Sequence, residues 1–152
     1  MERTRTPVVD GWFTGDGTEG GFRLLGTRCS ACAAVFFPRE DAYCRNPHCP
    51  GGGEITETPL SPRGRVWSYT DGRYRPPAPY VSDPDAPWSP YTLVAVELEA
   101  EGMVVLGQAA PGVGVADLAV GMEVEVVPGV LNEDAAGTTW TTWHFRPVEA
   151  GR

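Results

Sequence analysis

The chain has 152 residues, enough for one ordinary domain or for a small metal-stapled module followed by a barrel. Its formal net charge of −8 argues against a nucleic-acid partner, because phosphate binding normally requires a basic surface. No run of about 18 apolar residues is present and residues 1–10 lack the apolar stretch of a secretory signal, so we expect no membrane span and a cytoplasmic location.

The sequence divides into four parts. Residues 1–20 are a polar, glycine-rich lead that we expect to be flexible, and residues 21–60 hold all four cysteines. Residues 61–148 alternate as a run of strands, and residues 149–152 are a tail. Because 19 glycines and 15 prolines leave little room for long helices, the sequence predicts an all-β protein.

The cysteines form two close pairs, Cys29-Ser-Ala-Cys32 and Cys44-Arg-Asn-Pro-His-Cys49. Two such pairs on tight turns, joined by a short hairpin, supply the four thiolates of a tetrahedral zinc site. We therefore predict a rubredoxin-like ribbon with a structural zinc that staples a segment too small to bury a core. Iron on the same ligands stays open as an alternative. His48 in place of Cys49 is disfavoured because adjacent residues rarely both point at one metal, and a redox pair at Cys29 and Cys32 is disfavoured because no thioredoxin-like βαβ context is present.

Alternating apolar positions predict five strands in the second half of the chain. They lie within Arg63–Arg75, Tyr91–Glu99, Met103–Ala109, Met122–Val126 and Thr138–Phe145. The nearly continuous apolar segment Met103–Ala109 is typical of a central strand, and Val113–Val120 can form at most a short helical turn. This order predicts a five-stranded OB-fold barrel, with a β-sandwich as the alternative.

The first of these strands has an unusual composition. In strict alternation one face is cationic and aromatic, made of Arg63, Arg65, Trp67, Tyr69, Asp71, Arg73 and Arg75. One interpretation is a surface for an anion or a partner, since arginine binds phosphate and carboxylate well. The other is that these arginines pair with the surplus acids of the chain.

A stiff, proline-rich loop follows, beginning at Pro76 and Pro77. Loops of this length are often functional, and its Tyr80 and Trp88 are aromatic anchors suited to a partner's pocket. Alternatively, the loop covers one open end of the barrel. No catalytic motif is visible, and His144, in a strand rich in threonine and tryptophan, is interpreted as structural.

Together these features resemble the zinc-ribbon plus OB-fold proteins that accompany acyl-CoA thiolases, a family formerly classed as a domain of unknown function. The resemblance covers residues from about 21 to 148. It rests on Arg28-Cys29-x-x-Cys32, Phe37-Pro38, Cys44 and Cys49, Gly64-x-Val66-x-Ser68-Tyr69-Thr70, the Pro-Pro loop, Pro90-Tyr91, Val94-x-Val96, Gly121-Met122-x-Val124-x-Val126 and Phe145-x-Pro147.

The resemblance implies an accessory subunit of a thiolase-superfamily enzyme, including the lipid-transfer-protein-like aldolases of steroid side-chain breakdown. The partner would carry the catalytic residues, in an assembly with two copies of each chain, while the barrel helps to form the acyl-CoA site. The residues expected to face the partner or acyl-CoA are Arg65, Trp67, Ser68, Tyr69, Thr70, Arg73, Arg75, Pro76, Pro77, Tyr80 and Trp88. Many relatives begin with helices before the first cysteine, and here a glycine-rich lead takes their place.

Two other functions are compatible with the same features. The first is a free-standing acyl-CoA-binding protein that uses the arginines for the phosphates. The second, and weaker, is a single-stranded nucleic-acid binder, because both ribbons and OB-folds often bind single strands.

Overall fold

The computed structural model describes residues 2–15, 20–77, 85 and 88–149. These residues form nine strands: β1 Thr4–Pro7, β2 Leu25–Cys29, β3 Val35–Phe36, β4 Ile55–Pro59, β5 Arg63–Gly72, β6 Tyr91–Leu98, β7 Met103–Ala109, β8 Glu123–Glu133 and β9 Thr138–Pro147. A 3₁₀ turn at Val115–Asp117 lies between β7 and β8, within the segment predicted to form a helical turn. Among the residues described, no helix is both long and apolar enough to cross a membrane.

Five of the strands close into a barrel. Their order is β9-β7-β6-β5-β8, and β8 pairs back to β9 to complete the ring. The pair β7–β9 is parallel, through Gln108↔His144 and Ala109↔Phe145, and the other barrel pairs are antiparallel. Because the sheet closes on itself, the β-sandwich alternative is excluded and the predicted OB-fold is confirmed.

The core of the barrel follows from the alternation of its strands. Val66, Val96 and Val105 form one cross-strand row and are almost fully buried. Val124 of β8 is fully buried, whereas its neighbour Glu123 points to solvent. Burying each of these side chains stabilises the fold by about 1.5–3 kcal/mol relative to leaving it exposed.

The ribbon is a three-stranded antiparallel sheet with β2 between β3 and β4. The Thr27 hydroxyl on β2 donates to the Glu40 carbonyl at 2.8 Å and accepts from the Glu40 backbone N–H at 2.9 Å. The ribbon joins the barrel through Leu24 and Leu60, both buried in the same core, with the Leu60 N–H donating to the Leu24 carbonyl at 2.9 Å. Metal module and barrel therefore share packing.

The N-terminal segment makes more contacts than a loose lead would. Strand β1 pairs in parallel with β9, from Thr4↔Thr138 to Pro7↔Thr141, where β9 has no β7 neighbour. The aromatic rings that follow β1 fill the junction between ribbon and barrel. The junction consists of Trp12, Phe13, Phe22, Phe37 and Trp143, whose neighbouring ring centroids lie 5.5–6.2 Å apart. Burial of these rings is the physical reason for the order of residues 4–13.

Candidate metal centre and interaction surface

The four cysteines lie on two turns that face each other. Cys29 ends β2, and the turn after it is closed by the Ala33 N–H, which donates to the Cys29 carbonyl at 2.8 Å. In the second turn, the Asn46 carbonyl accepts from the Cys49 N–H at 3.0 Å and the Asn46 side chain accepts from the His48 N–H at 3.0 Å. These hydrogen bonds within each turn hold the backbone of both turns without a metal ion.

The sulfur atoms fit a zinc ion. All four Sγ atoms lie within 4.8 Å of one another, with 3.8 Å between Cys29 and Cys49 and 3.6 Å between Cys32 and Cys44. A tetrahedral zinc with ordinary zinc–sulfur bonds separates its ligands by about 3.8 Å. Backbone N–H groups of Asn46 and Gly51 each approach a cysteine sulfur at 3.4 Å, which stabilises thiolate. The predicted structural zinc site, Cys29, Cys32, Cys44 and Cys49, is therefore confirmed.

The pKa values of the cysteines indicate that a cation is needed to hold four thiolates together. A hydrogen bond from the Ala34 backbone, followed by one from Asn46, lowers the pKa of Cys32 to about 6. The Asn46 backbone N–H also lowers the pKa of Cys44, but burial and the neighbouring thiols outweigh it and raise that pKa to about 12. The pKa of Cys32 is thus lowered while the pKa values of Cys44 and Cys49 are raised, and a dication between the sulfurs makes thiolates at this spacing compatible.

The alternatives to this ligand set can be compared with the geometry. His48 is exposed, and among the described residues the metal-ligating cluster contains the four cysteines alone. All four are free thiols, and the sulfur contacts of 3.8 Å and 3.6 Å join the two pairs, Cys29 to Cys49 and Cys32 to Cys44. This arrangement favours coordination over a Cys29–Cys32 redox pair.

The continuous cationic face predicted for β5 does not form. The pairing of β5 with β6 shifts register between Val66 and Ser68, which leaves Trp67 as the extra residue of a β-bulge. Beyond the bulge Tyr69 turns inward and packs against the core, while Ser68 and Thr70 point outward. Strict alternation fails here because a bulge exchanges the faces of every later residue.

The arginines of this region are engaged within the chain. Arg63 lies 3.9 Å from both Glu123 and Glu125, and Arg73, just beyond β5, pairs with Asp71 at 3.0 Å. The Arg65 guanidinium donates to the Gly121 carbonyl at 3.0 Å. Arg75 lies over the Trp88 ring, 5.6 Å from its centroid. Arg63 and Arg73 thus pair with the chain's own acids, whereas Arg65 and Arg75 contact a backbone carbonyl and an aromatic ring.

The part of the proline-rich loop that the structure describes is fastened to the barrel. Trp88 donates to the Gly72 carbonyl at 3.3 Å and meets the Tyr91 ring edge-on at 5.4 Å. Pro76 is half-buried and Pro77 is exposed, whereas Tyr80 lies outside the described residues. Trp88 thus fastens the end of the loop to the residues where β5 ends and β6 begins. Its ring contacts the chain itself.

The outer surface of β5, β6 and β7 carries an apolar face that the sequence analysis missed. Ser68, Ala95 and Leu106 form one cross-strand row. Leu106 is 66% exposed, Trp67 60% and Val104 40%. We define the outer apolar face as Trp67, Leu93, Ala95, Val104 and Leu106. The available signal was that a barrel strand has one inward face, so only alternate residues of Met103–Ala109 can be buried.

Two shallow grooves run along this face. One, of about 190 Å³, lies between Leu93, Leu106 and Trp143, and the other, of about 240 Å³, lies between Trp67, Leu93 and Leu106. Since Leu93 and Leu106 line both grooves, the two form one continuous surface. A macromolecule can contact this surface without entering a cavity.

Comparison with known proteins adds three findings. Residues 22–56 match the family model described as "ChsH2, rubredoxin-like zinc ribbon domain". Over 128 residues the chain is 32% identical to a "DUF35 domain-containing scaffold protein" of Methanocaldococcus jannaschii, covering 83% of this chain and 82% of that protein. The fold is similar to a solved chain described as "Ltp2-ChsH2(DUF35) aldolase", with a TM-score of 0.57 and 26% identity over 93% of this chain and 98% of that chain.

Proposed function

Because the chain belongs to the DUF35 domain family, we propose that it is a non-catalytic subunit that binds and activates a thiolase-like acyl-CoA enzyme. The observation that carries the proposal is the similarity to the chain of the Ltp2-ChsH2(DUF35) aldolase, which extends over 93% of this chain and so includes both ribbon and barrel. The aromatic junction supports it, since it holds the two modules together as one docking body.

The finer parts of the proposal concern substrate and assembly. We place the complex in the cytoplasm, with two copies of each chain, acting on an acyl-CoA such as a steroid or lipid side-chain thioester in a retro-aldol or thiolytic cleavage. Trp67, Ser68 and Thr70 are exposed and suited to face the partner, whereas Tyr69 packs inward and Trp88 binds its own barrel. Arg65, Arg73, Arg75, Pro76, Pro77 and Tyr80 stay in the proposed site on the basis of the sequence resemblance.

The test begins with affinity capture of the tagged chain from its own cells and identification of the bound proteins by mass spectrometry. The enzyme found there is then purified alone and mixed with the purified chain. We expect a complex with equal numbers of the two chains by light scattering, and cleavage of acyl-CoA only by the mixture. An enzyme that is fully active alone and elutes separately from this chain would refute the proposal.

Calorimetry separates the proposal from a free-standing acyl-CoA binder. Titration of CoA into the isolated chain should give no measurable heat, because Arg63 and Arg73 already pair with acids. Tight binding of CoA to the isolated chain would favour the alternative.

A further inference from the structure

We propose that the outer apolar face of the barrel is the surface on which the partner enzyme docks. This inference rests on the proposed function, and it assigns the contact to the side chains of Trp67, Leu93, Val104 and Leu106, while Ala95, only 7% exposed, lines the groove between them. The residues predicted from the sequence to face the partner lie only in β5 and the loop after it. The present assignment adds residues of β6 and β7.

The face is built by the register of three strands. The rows Ser68–Ala95–Leu106 and Thr70–Leu93–Gln108 point away from the barrel core, and neither contains a charged side chain. The bulge places Trp67 beside these rows, and the side chain is 60% exposed. An exposed tryptophan next to an exposed leucine is costly to leave in water, so the arrangement is typical of a surface that is covered in the functional state.

Charges surround this face instead of lying within it. The next outward row toward one end is Arg65–Glu97–Val104, so Val104 lies at the margin of the face beside two charged residues, and beyond the other end Arg73 pairs with Asp71 at 3.0 Å. An uncharged centre with a charged margin is the anatomy of a protein–protein interface, in which charged residues are depleted from the core and kept at the rim.

The charge of the chain indicates what kind of molecule covers the face. A second copy would bring two molecules of net charge −8 together, and such self-repulsion favours the monomer. A small ligand is also a poor fit, because the two grooves are shallow and open to solvent, whereas ordinary ligand pockets are concave and bury most of the ligand's surface. The occupant that fits is a different protein with an apolar, uncharged contact surface, and the proposed function identifies it as the thiolase-like enzyme.

The experiment compares variants for binding to the enzyme identified by the capture experiment. Trp67→Ser removes the exposed aromatic ring and Leu106→Asp places a charge at the centre of the face. Tyr43→Ser is the matched control, since Tyr43 is an aromatic residue of the ribbon with almost the same exposure, 59%. Zinc content and the urea midpoint of each variant, together with light scattering of each chain alone, establish that it is folded and in which oligomeric state.

We expect the Kd to rise about 30-fold or more for Trp67→Ser and further for Leu106→Asp, with Tyr43→Ser unchanged, because central aromatic anchors dominate interface energies. If the wild-type chain does not bind the enzyme, the proposed function fails. If it binds and the two face variants bind equally well, only the assignment of this face is overturned. A wild-type dimer that Leu106→Asp converts to a monomer would overturn the assignment and show that the face binds a second copy of the chain. Binding of CoA by the wild type that is lost in Trp67→Ser would overturn it and show that the face binds a small ligand.

Discussion

The junction between ribbon and barrel allows a quantitative test of whether the two modules are energetically coupled. The Phe37 and Trp143 rings meet edge-on, with centroids 5.6 Å apart and an interplanar angle of 81°. Pairs of this geometry contribute about 0.5–1.5 kcal/mol beyond the area that they bury. We therefore expect a coupling free energy of about 1 kcal/mol between these residues in a double-mutant cycle made with Phe37→Leu and Trp143→Leu.

The single variants have their own expected costs. Trp143→Leu also loses ring contacts with Trp12 and Phe13 and the hydrogen bond from Nε1 to the Leu106 carbonyl, so it should lower the free energy of unfolding by about 3 kcal/mol. Trp143→Phe keeps a ring and loses the donor, and it should cost only about 1 kcal/mol.

The assay is urea unfolding of the zinc-loaded protein, followed by circular dichroism, for the wild type, both single variants and the double variant. The coupling free energy is the difference between the loss of unfolding free energy in the double variant and the sum of the losses in the two single variants. A coupling below about 0.3 kcal/mol would refute the reasoning, because it would mean that the ribbon ring and the barrel ring stabilise their modules independently.

Three further predictions concern the metal, a glycine and a histidine. Cys49→Ser should lose the bound zinc, whereas His48→Ala should keep one equivalent, because only the Cys49 sulfur lies in the cluster. The zinc content of each purified variant is measured by elemental mass spectrometry. Gly64→Ala should lower the free energy of unfolding by about 1–3 kcal/mol in urea titrations, because its methyl group would lie 2.5 Å from the Glu97 carbonyl oxygen. Burial lowers the pKa of His144 below its ordinary value, so as the pH falls the histidine binds a proton more readily in the unfolded chain than in the folded one. The urea midpoint of the wild type should therefore drop between pH 7 and pH 5. The drop should be smaller in His144→Gln, which has no imidazole to protonate.

Each of these has an outcome that contradicts it. Full zinc occupancy in Cys49→Ser, with loss in His48→Ala, would restore the histidine as the fourth ligand. Unchanged stability of Gly64→Ala would mean that β5 and β6 separate at little cost. If wild type and His144→Gln lost stability in parallel below pH 7, protonation of His144 would not be the cause, and carboxylates would have to account for the loss.

The parts of the fold that depend on local spacing were predictable from the sequence. The Cys29–Cys32 and Cys44–Cys49 spacings fix two turns within a few residues, and the alternation around Val94 and Val96 fixes which side of β6 is buried. These features follow from the geometry of turns and pleated strands alone.

The parts that depend on distant partners were not predictable. The bulge at Trp67 exists only in relation to β6, and β1 finds its place only against β9. The exposure of Leu106 was missed because a nearly continuous apolar strand is typical of burial on both faces, a pattern that belongs to covered sheets rather than to barrels open to solvent.

The pairing of β1 with β9 also dictates the order in which the protein can mature during synthesis. The sulfurs of Cys29 and Cys49 are 20 positions apart, whereas Arg3 donates to the hydroxyl of Thr139, 136 positions later. The ribosome releases the amino end first, so the ribbon can capture its metal while most of the barrel is still being translated. Strand β1 is translated before the ribbon but must wait for β9, whereas Trp12 and Phe13 can already contact Phe37 and Phe22. Strand β1 is thus made before the ribbon and takes its place after it.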